Sequence, residues 1–128
     1  MKLLLDTHAL LWFVAGDSRL SDAARLAIES QENEPLVSIA SVWEMGIKVG
    51  LSKLDLGMPL DEFIREHIEG NGIGVLDIAL AHVVRIGPMP FHHRDPFDRL
   101  LIAQAQEEEI QIVGCDPAFA AYGVNLIW

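Results

Sequence analysis

Short apolar runs that lead to an acid recur along this chain and alternate with stretches of helical spacing. Lys2–Leu5 meets Asp6, residues 73–76 meet Asp77, and Gln111–Val113 reaches Asp116 after two residues. Runs this short, without the strict polar alternation of a half-exposed strand, suit strands covered on both faces. Their alternation with helices predicts an α/β fold: a central parallel sheet of about five short strands flanked by helices. In such sheets ligands gather beyond the carboxyl ends of the strands, at the point where strand order reverses. The acids that follow the strands are therefore the residues to weigh first.

The expected elements follow from spacing and punctuation. Helices are expected over Thr7–Ala15, over 21–30 with Ser21 as cap, over 40–51, 60–69 and 78–86, and over Pro96–Glu108. Asp77 is read as the cap of the 78–86 helix. Strands are expected over 36–39, opened by Pro35, then over 73–76, Gln111–Val113 and 124–127, with a helical turn after Pro117. No repeat, low-complexity run or linker divides the 128 residues, so a single domain over 1–128 is expected. No stretch approaches the ~20 apolar residues of a membrane span, and no secretory signal is expected at the start. The lone cysteine, Cys115, excludes an internal disulfide framework, is read as a core residue, and fits a cytoplasmic protein.

A net charge of −10 argues against holding nucleic acid by simple charge attraction. Acids that converge on bound cations reverse the local field, however, and several acids here are placed to converge. Asp6 ends the first strand and also suits the cap of the next helix. Glu44 shares a narrow polar stripe with Ser41 and Lys48 on a helix whose other positions are mostly apolar. That stripe is either solvated, with a Glu44–Lys48 pair worth ~0.3–0.5 kcal/mol, or it lines a cleft. Asp95-Pro96 is a cap followed by proline at the first helical position, which sets Asp98 on the first turn. Asp98 either complements the helix dipole there or binds a ligand. Asp116 precedes Pro117 and has the same double reading.

Taken jointly the acids would meet at one sheet edge. Carboxylates ~4 Å apart repel by ~1 kcal/mol per pair even at the dielectric of water. Raised pKa values or hard divalent cations relieve such crowding, and oxygen ligands favour magnesium or manganese. Metal-activated water suits phosphodiester hydrolysis. Ser38 and Ser41 lack a nucleophile elbow, no glycine-rich phosphate loop exists, and His92-His93 lacks zinc-ligand spacing and is read as loop.

Several stretches resemble one family. Leu5-Asp6-Thr7-His8 with Leu10-Leu11-Trp12, Val37-Ser38 with Trp43-Glu44 and Ile47-Lys48, and the block from His93 through Asp95-Pro96-Phe97-Asp98-Arg99 to Ala105 are similar to the VapC-type toxins of the PIN-domain family. The likeness spans essentially the whole chain. It implies a PIN-like fold and a Mg²⁺-dependent endoribonuclease that accepts Mn²⁺ as a substitute. It also implies a cognate antitoxin, an RNA substrate and a homodimer. The family's metal-site acids match Asp6, Glu44, Asp98 and Asp116, with Asp95 and Thr7 as secondary candidates. Family members often carry Thr or Ser two residues before the last acid, where this chain has Gly114. Two other readings remain at this stage. One is a PIN fold serving only as a binding module. The other is a receiver-type signalling domain with Asp77 as acceptor, which lacks the paired acids after the first strand and any lysine beyond Lys53.

Overall fold

A computed structural model describes residues 1–128. Its centre is a five-stranded sheet, parallel throughout, with strands β1 (Lys2–Leu5), β2 (Glu34–Ser38), β3 (Gly74–Leu76), β4 (Gln111–Val113) and β5 (Leu126–Ile127) in the order β3-β2-β1-β4-β5. Alternate side chains of each strand feed two separate cores, as the two-residue period requires. Leu3, Leu5, Val37 and Val113 pack on one face, with Leu10, Ala24, Ile28, Met45 and Phe63. Leu4, Leu36 and Ile112 pack on the other, with Leu101, Ile102 and Phe119. Covering both faces explains why the strands read as unbroken apolar runs.

The helices are α1 (Thr7–Ala15), α2 (Asp22–Glu29), α3 (Ile39–Gly50), α4 (Leu60–Phe63), α5 (Leu80–Ile86), α6 (Pro96–Glu108) and α7 (Pro117–Ala120). Asp6, Ser21, Ser38, Asp95 and Asp116 each cap a helix by accepting a backbone N–H. Proline occupies the first turn of both α6 and α7. The helix expected over 60–69 holds only to Phe63. A π-type turn, Ile64–Ile68, and a 3-10 turn, Glu69–Asn71, complete it before Gly72 turns the chain at φ +69°. No helix is long and apolar enough to cross a membrane.

Two expectations need correction. Asp77 caps nothing: α5 begins at Leu80, and the N–H of Ala79 is instead taken by Nδ1 of the buried His82 at 2.9 Å. Cys115 is exposed rather than core, because β4 ends at Val113 and the chain has already left the sheet. The strand order also differs from the 2-1-3-4-5 order of receiver-like doubly wound sheets. Asp77 follows edge strand β3, separated from β1 by β2, so it has no partner acid at the sheet's centre.

The order reverses at β1, where the chain first builds outward through β2 and β3 and then returns to add β4 on the other side. Asp6 directly follows β1 and Asp116 lies just past β4. These two positions flank the switch point, where a crevice opens because the flanking connections leave in opposite directions.

Candidate metal centre

A cleft of about 110 Å³ opens there, lined by Asp6, Thr7, His8, Glu44, Lys48, Asp95, Asp98, Asp116 and Phe119. The four acids expected to meet do meet, together with both secondary candidates. Each is delivered by a different element: Asp6 from the β1–α1 junction, Glu44 from α3, Asp98 from the first turn of α6, and Asp116 from the start of α7.

Capping and cleft lining turn out to be compatible roles. Oδ1 of Asp6 accepts the N–H of Ala9 at 2.6 Å, and the Asp6 N–H donates to the carbonyl of Val113 at 3.0 Å. These bonds fix the residue while its other oxygen faces β4. Oδ1 of Asp116 likewise accepts the N–H of Ala118 at 2.9 Å. Asp95 accepts the N–H groups of Phe97 and Asp98 at 2.8 and 3.1 Å, so it caps α6 fully. Asp98, one turn on, accepts no backbone bond that would explain it as a cap.

Glu44 is buried, and both of its oxygens have donors. The Thr7 hydroxyl donates to Oε1 at 2.8 Å, and Lys48 Nζ lies 3.1 Å from Oε2. The polar stripe on α3 is therefore not a solvated face. Glu44 and Lys48 look into the cleft, Lys48 reaching from its wall to solvent, while Ser41 is fully buried.

Two acids bear a visible cost of this crowding. The carboxyl of Asp6 is pushed up to about 6, mainly by burial, with the charges of Asp116 and Glu44 adding to the effect. The Ala9 N–H and His8 act in the opposite direction. Asp98 is pushed up to about 7, again mainly by burial and next by the charge of Asp95. Negative charge is costly where a cation would offset it, and the donors are carboxylate oxygens with a hydroxyl beside them. That set fits a hard divalent ion of the magnesium or manganese kind.

The family model of the PIN domain matches residues 3–125. The chain belongs to the PIN-domain family. Ribonuclease VapC22 of Mycobacterium tuberculosis is 32% identical over 116 residues, covering 88% of this chain and 85% of the relative. It places the chain among the VapC-type members. The crystal structure of VapBC2 from Rickettsia felis, bound to a DNA fragment from their promoter, superposes with a TM-score of 0.71. That match covers 98% of this chain and 97% of the other at 16% identity, and so speaks to fold alone. Receiver-type signalling is excluded by the family match.

Against this PIN fold, two functional neighbours of the acids escaped the sequence reading. His93, read as loop, has Nε2 3.0 Å from Oδ2 of Asp116 in hydrogen-bonding geometry and equally close to Oδ2 of Asp98. Arg99 is buried and ties the segment before α6 in place. Its guanidinium donates to the carbonyls of Met89, Pro90 and His93 and lies 4.2 Å above the Phe91 ring. A histidine two residues before an Asp-Pro helix start was the available signal for the first. Nothing in residue spacing marks the second, because its partners are backbone carbonyls of an irregular segment.

Gly114 also acquires a reason. A Cβ built there would lie 2.6 Å from Oδ2 of Asp6 and 3.0 Å from its Cγ. The Asp6 carboxyl occupies the space that a side chain at 114 would need.

Proposed function

We propose that this PIN-domain chain is an endoribonuclease, the toxin half of a toxin–antitoxin pair, that hydrolyses RNA phosphodiester bonds with Mg²⁺ or Mn²⁺. The observation that carries the reading is the convergence of Asp6, Glu44, Asp98 and Asp116 on one cleft at the switch point of the sheet. A divalent ion held there supplies positive charge for the scissile phosphate and lowers the pKa of the attacking water. The chain's own part is positioning. Backbone caps on Asp6 and Asp116, the Thr7 hydroxyl on Glu44, and the helical frame of Asp98 hold the oxygens in place before any ion arrives. Lys48, beside Glu44 and partly exposed, is a ready contact for a substrate phosphate.

The charge problem raised by a net −10 is met by the same arrangement. Substrate affinity would come from the ion and a few local cations rather than from a basic surface. A partner follows from a second cleft of about 610 Å³ that shares Thr7, His8 and Lys48 with the acid cleft. Leu11, Trp12, Val14, Leu54, Leu56 and Phe63 give it an apolar floor suited to an amphipathic antitoxin segment. A second copy of the chain is the fitting cover for α5, whose Leu80, Val83 and Val84 are exposed at helical spacing. The VapBC2 assembly supports the antitoxin partner; the second copy rests on the exposed face of α5.

The test is incubation of purified protein with defined single-stranded RNAs, with and without Mg²⁺ or Mn²⁺. Metal-dependent cleavage that disappears in Asp98→Asn is expected. A folded protein that binds RNA and never cleaves it, at any metal concentration, would leave only the binding-module reading.

A further inference from the structure

His93 stands among the acids without a role in the reading above. Its Nε2, Oδ2 of Asp98 and Oδ2 of Asp116 belong to a group whose ligand atoms all lie within 4.8 Å of one another, which by proximity alone would make the imidazole a metal ligand. The other ring nitrogen argues against this. Nδ1 lies 3.1 Å from the backbone N–H of Asp95, an obligatory donor, so Nδ1 must present its lone pair. In that tautomer Nε2 carries the hydrogen and has no lone pair to offer. It is directed at Asp116, 3.0 Å away, with Asp98 equally near.

The ring is also held rigidly from outside. It packs against Phe119 at 5.9 Å between centroids, and the His93 N–H donates to the Tyr122 hydroxyl at 2.9 Å. Arg99 holds the His93 carbonyl at 3.2 Å. Tyr122 in turn donates to the Pro90 carbonyl at 2.6 Å. Chain segments before α6 and after α7 are thus locked together around one imidazole.

From this geometry we propose that His93 is a positioning residue: its Nε2–H fixes Asp116 beside Asp98, and the imidazole is not itself a metal ligand. The inference rests on the metal-centre reading and deepens it. A donor bonded to Asp116, with Asp98 3.0 Å away, lets these two acids from different elements stand together without the ion, so the ion finds its oxygens already in register. It also keeps nitrogen out of the donor set. An oxygen-only set favours magnesium and manganese, whereas an imidazole ligand would draw the site toward zinc and nickel. Partners of this indirect kind commonly contribute 10–100-fold to metal affinity.

Two measurements test it. In the first, free Mn²⁺ is followed by electron paramagnetic resonance during titration of the parent, His93→Ala and His93→Gln, with Ni²⁺ competition for each. His93→Ala should weaken Mn²⁺ binding by about 10–100-fold. His93→Gln keeps an N–H donor and should restore most of it, with the Mn²⁺-to-Ni²⁺ ratio little changed throughout. In the second, long-range ¹H–¹⁵N correlation of the parent's histidine rings is recorded with and without saturating Mg²⁺, and the proton should stay on Nε2 of His93 in both. Transfer of that proton to Nδ1 on adding Mg²⁺, or a loss in His93→Gln equal to that in His93→Ala together with lost Ni²⁺ binding, makes the ring a ligand and overturns the proposal. Unchanged Mn²⁺ affinity in His93→Ala overturns it too. A parent that binds no Mn²⁺ would instead refute the metal centre itself.

Discussion

Replacing Asp6 by asparagine should stabilise the metal-free protein at neutral pH. The residue is 7% exposed and its carboxyl is shifted from about 3.8 to about 6, chiefly by burial. About two pKa units correspond to ~3 kcal/mol of charge cost in the folded state once the group is ionised. Water entering the open cleft recovers part of this, so a gain of ~1–2 kcal/mol is expected from the uncharged amide. The cap survives the exchange, because an asparagine oxygen accepts the Ala9 N–H as an aspartate oxygen does.

The pH dependence carries the sign. The folded-state pKa lies above the unfolded one, so below about pH 4 the carboxyl is protonated in both states and costs nothing. As pH rises through about 6 the folded parent must ionise against its preference, and its stability falls. The advantage of Asp6→Asn should therefore be near zero at pH 4 and full above pH 7. Mg²⁺ should reverse the order. An ion at a hundredfold above its dissociation constant adds ~2.7 kcal/mol to the parent, and the amide forfeits most of that. Urea unfolding followed by tryptophan fluorescence, at both pH values and with EDTA or Mg²⁺, reads all four conditions. A variant less stable than the parent in EDTA at pH 8, with unchanged far-UV circular dichroism, would refute the claim that Asp6 is held in a costly charged state.

Asp98→Asn should nearly abolish RNA cleavage with the fold intact, while Asp95→Ala should lose ~1 kcal/mol of stability through the missing cap and less activity. Melting temperature and single-turnover cleavage separate the two, and a reversed pattern exchanges the roles. Gly114→Ser should displace the Asp6 carboxyl and weaken both the Ala9 cap and Mn²⁺ binding, measured by melting and by Mn²⁺ titration. Parent-like values for both would mean the Asp6 side chain has room to move. Val84→Glu, on the exposed apolar face of α5, should shift the mass seen by analytical ultracentrifugation from dimer to monomer.

The sheet was legible because its strands are buried on both faces, and double burial leaves a signal in single residues: Leu3, Leu4 and Leu5 are all fully buried although they point to opposite sides. Strand order was not legible, since pairing is decided by where helices pack and leaves no local mark. The boundary that failed before α5 has a visible cause. Between β3 and α5, polar groups are satisfied by partners distant in sequence: Gln104 donates to the Asp77 carbonyl at 3.2 Å, and His82 reaches Glu108 at 2.7 Å. An aspartate placed where a cap was expected is released from capping when a histidine ring takes the N–H of Ala79.

For the site, residues with two chemical roles misled in a specific way. Asp6 and Asp116 looked like an either-or choice between cap and ligand, yet a carboxylate has two oxygens, and in both residues one of them accepts the cap bond. Gly114 shows the reverse error. From the resemblance it stood as a hydroxyl missing from the acid cluster. In the structure that volume is taken by the Asp6 carboxyl leaning on β4, where a Cβ would lie within 2.6 Å of it. The glycine at 114 and the depth of Asp6 are thus one feature: with no Cβ just past β4 the carboxyl has room to sit deep, burial raises its pKa, and a counter-ion would relieve the cost of its charge.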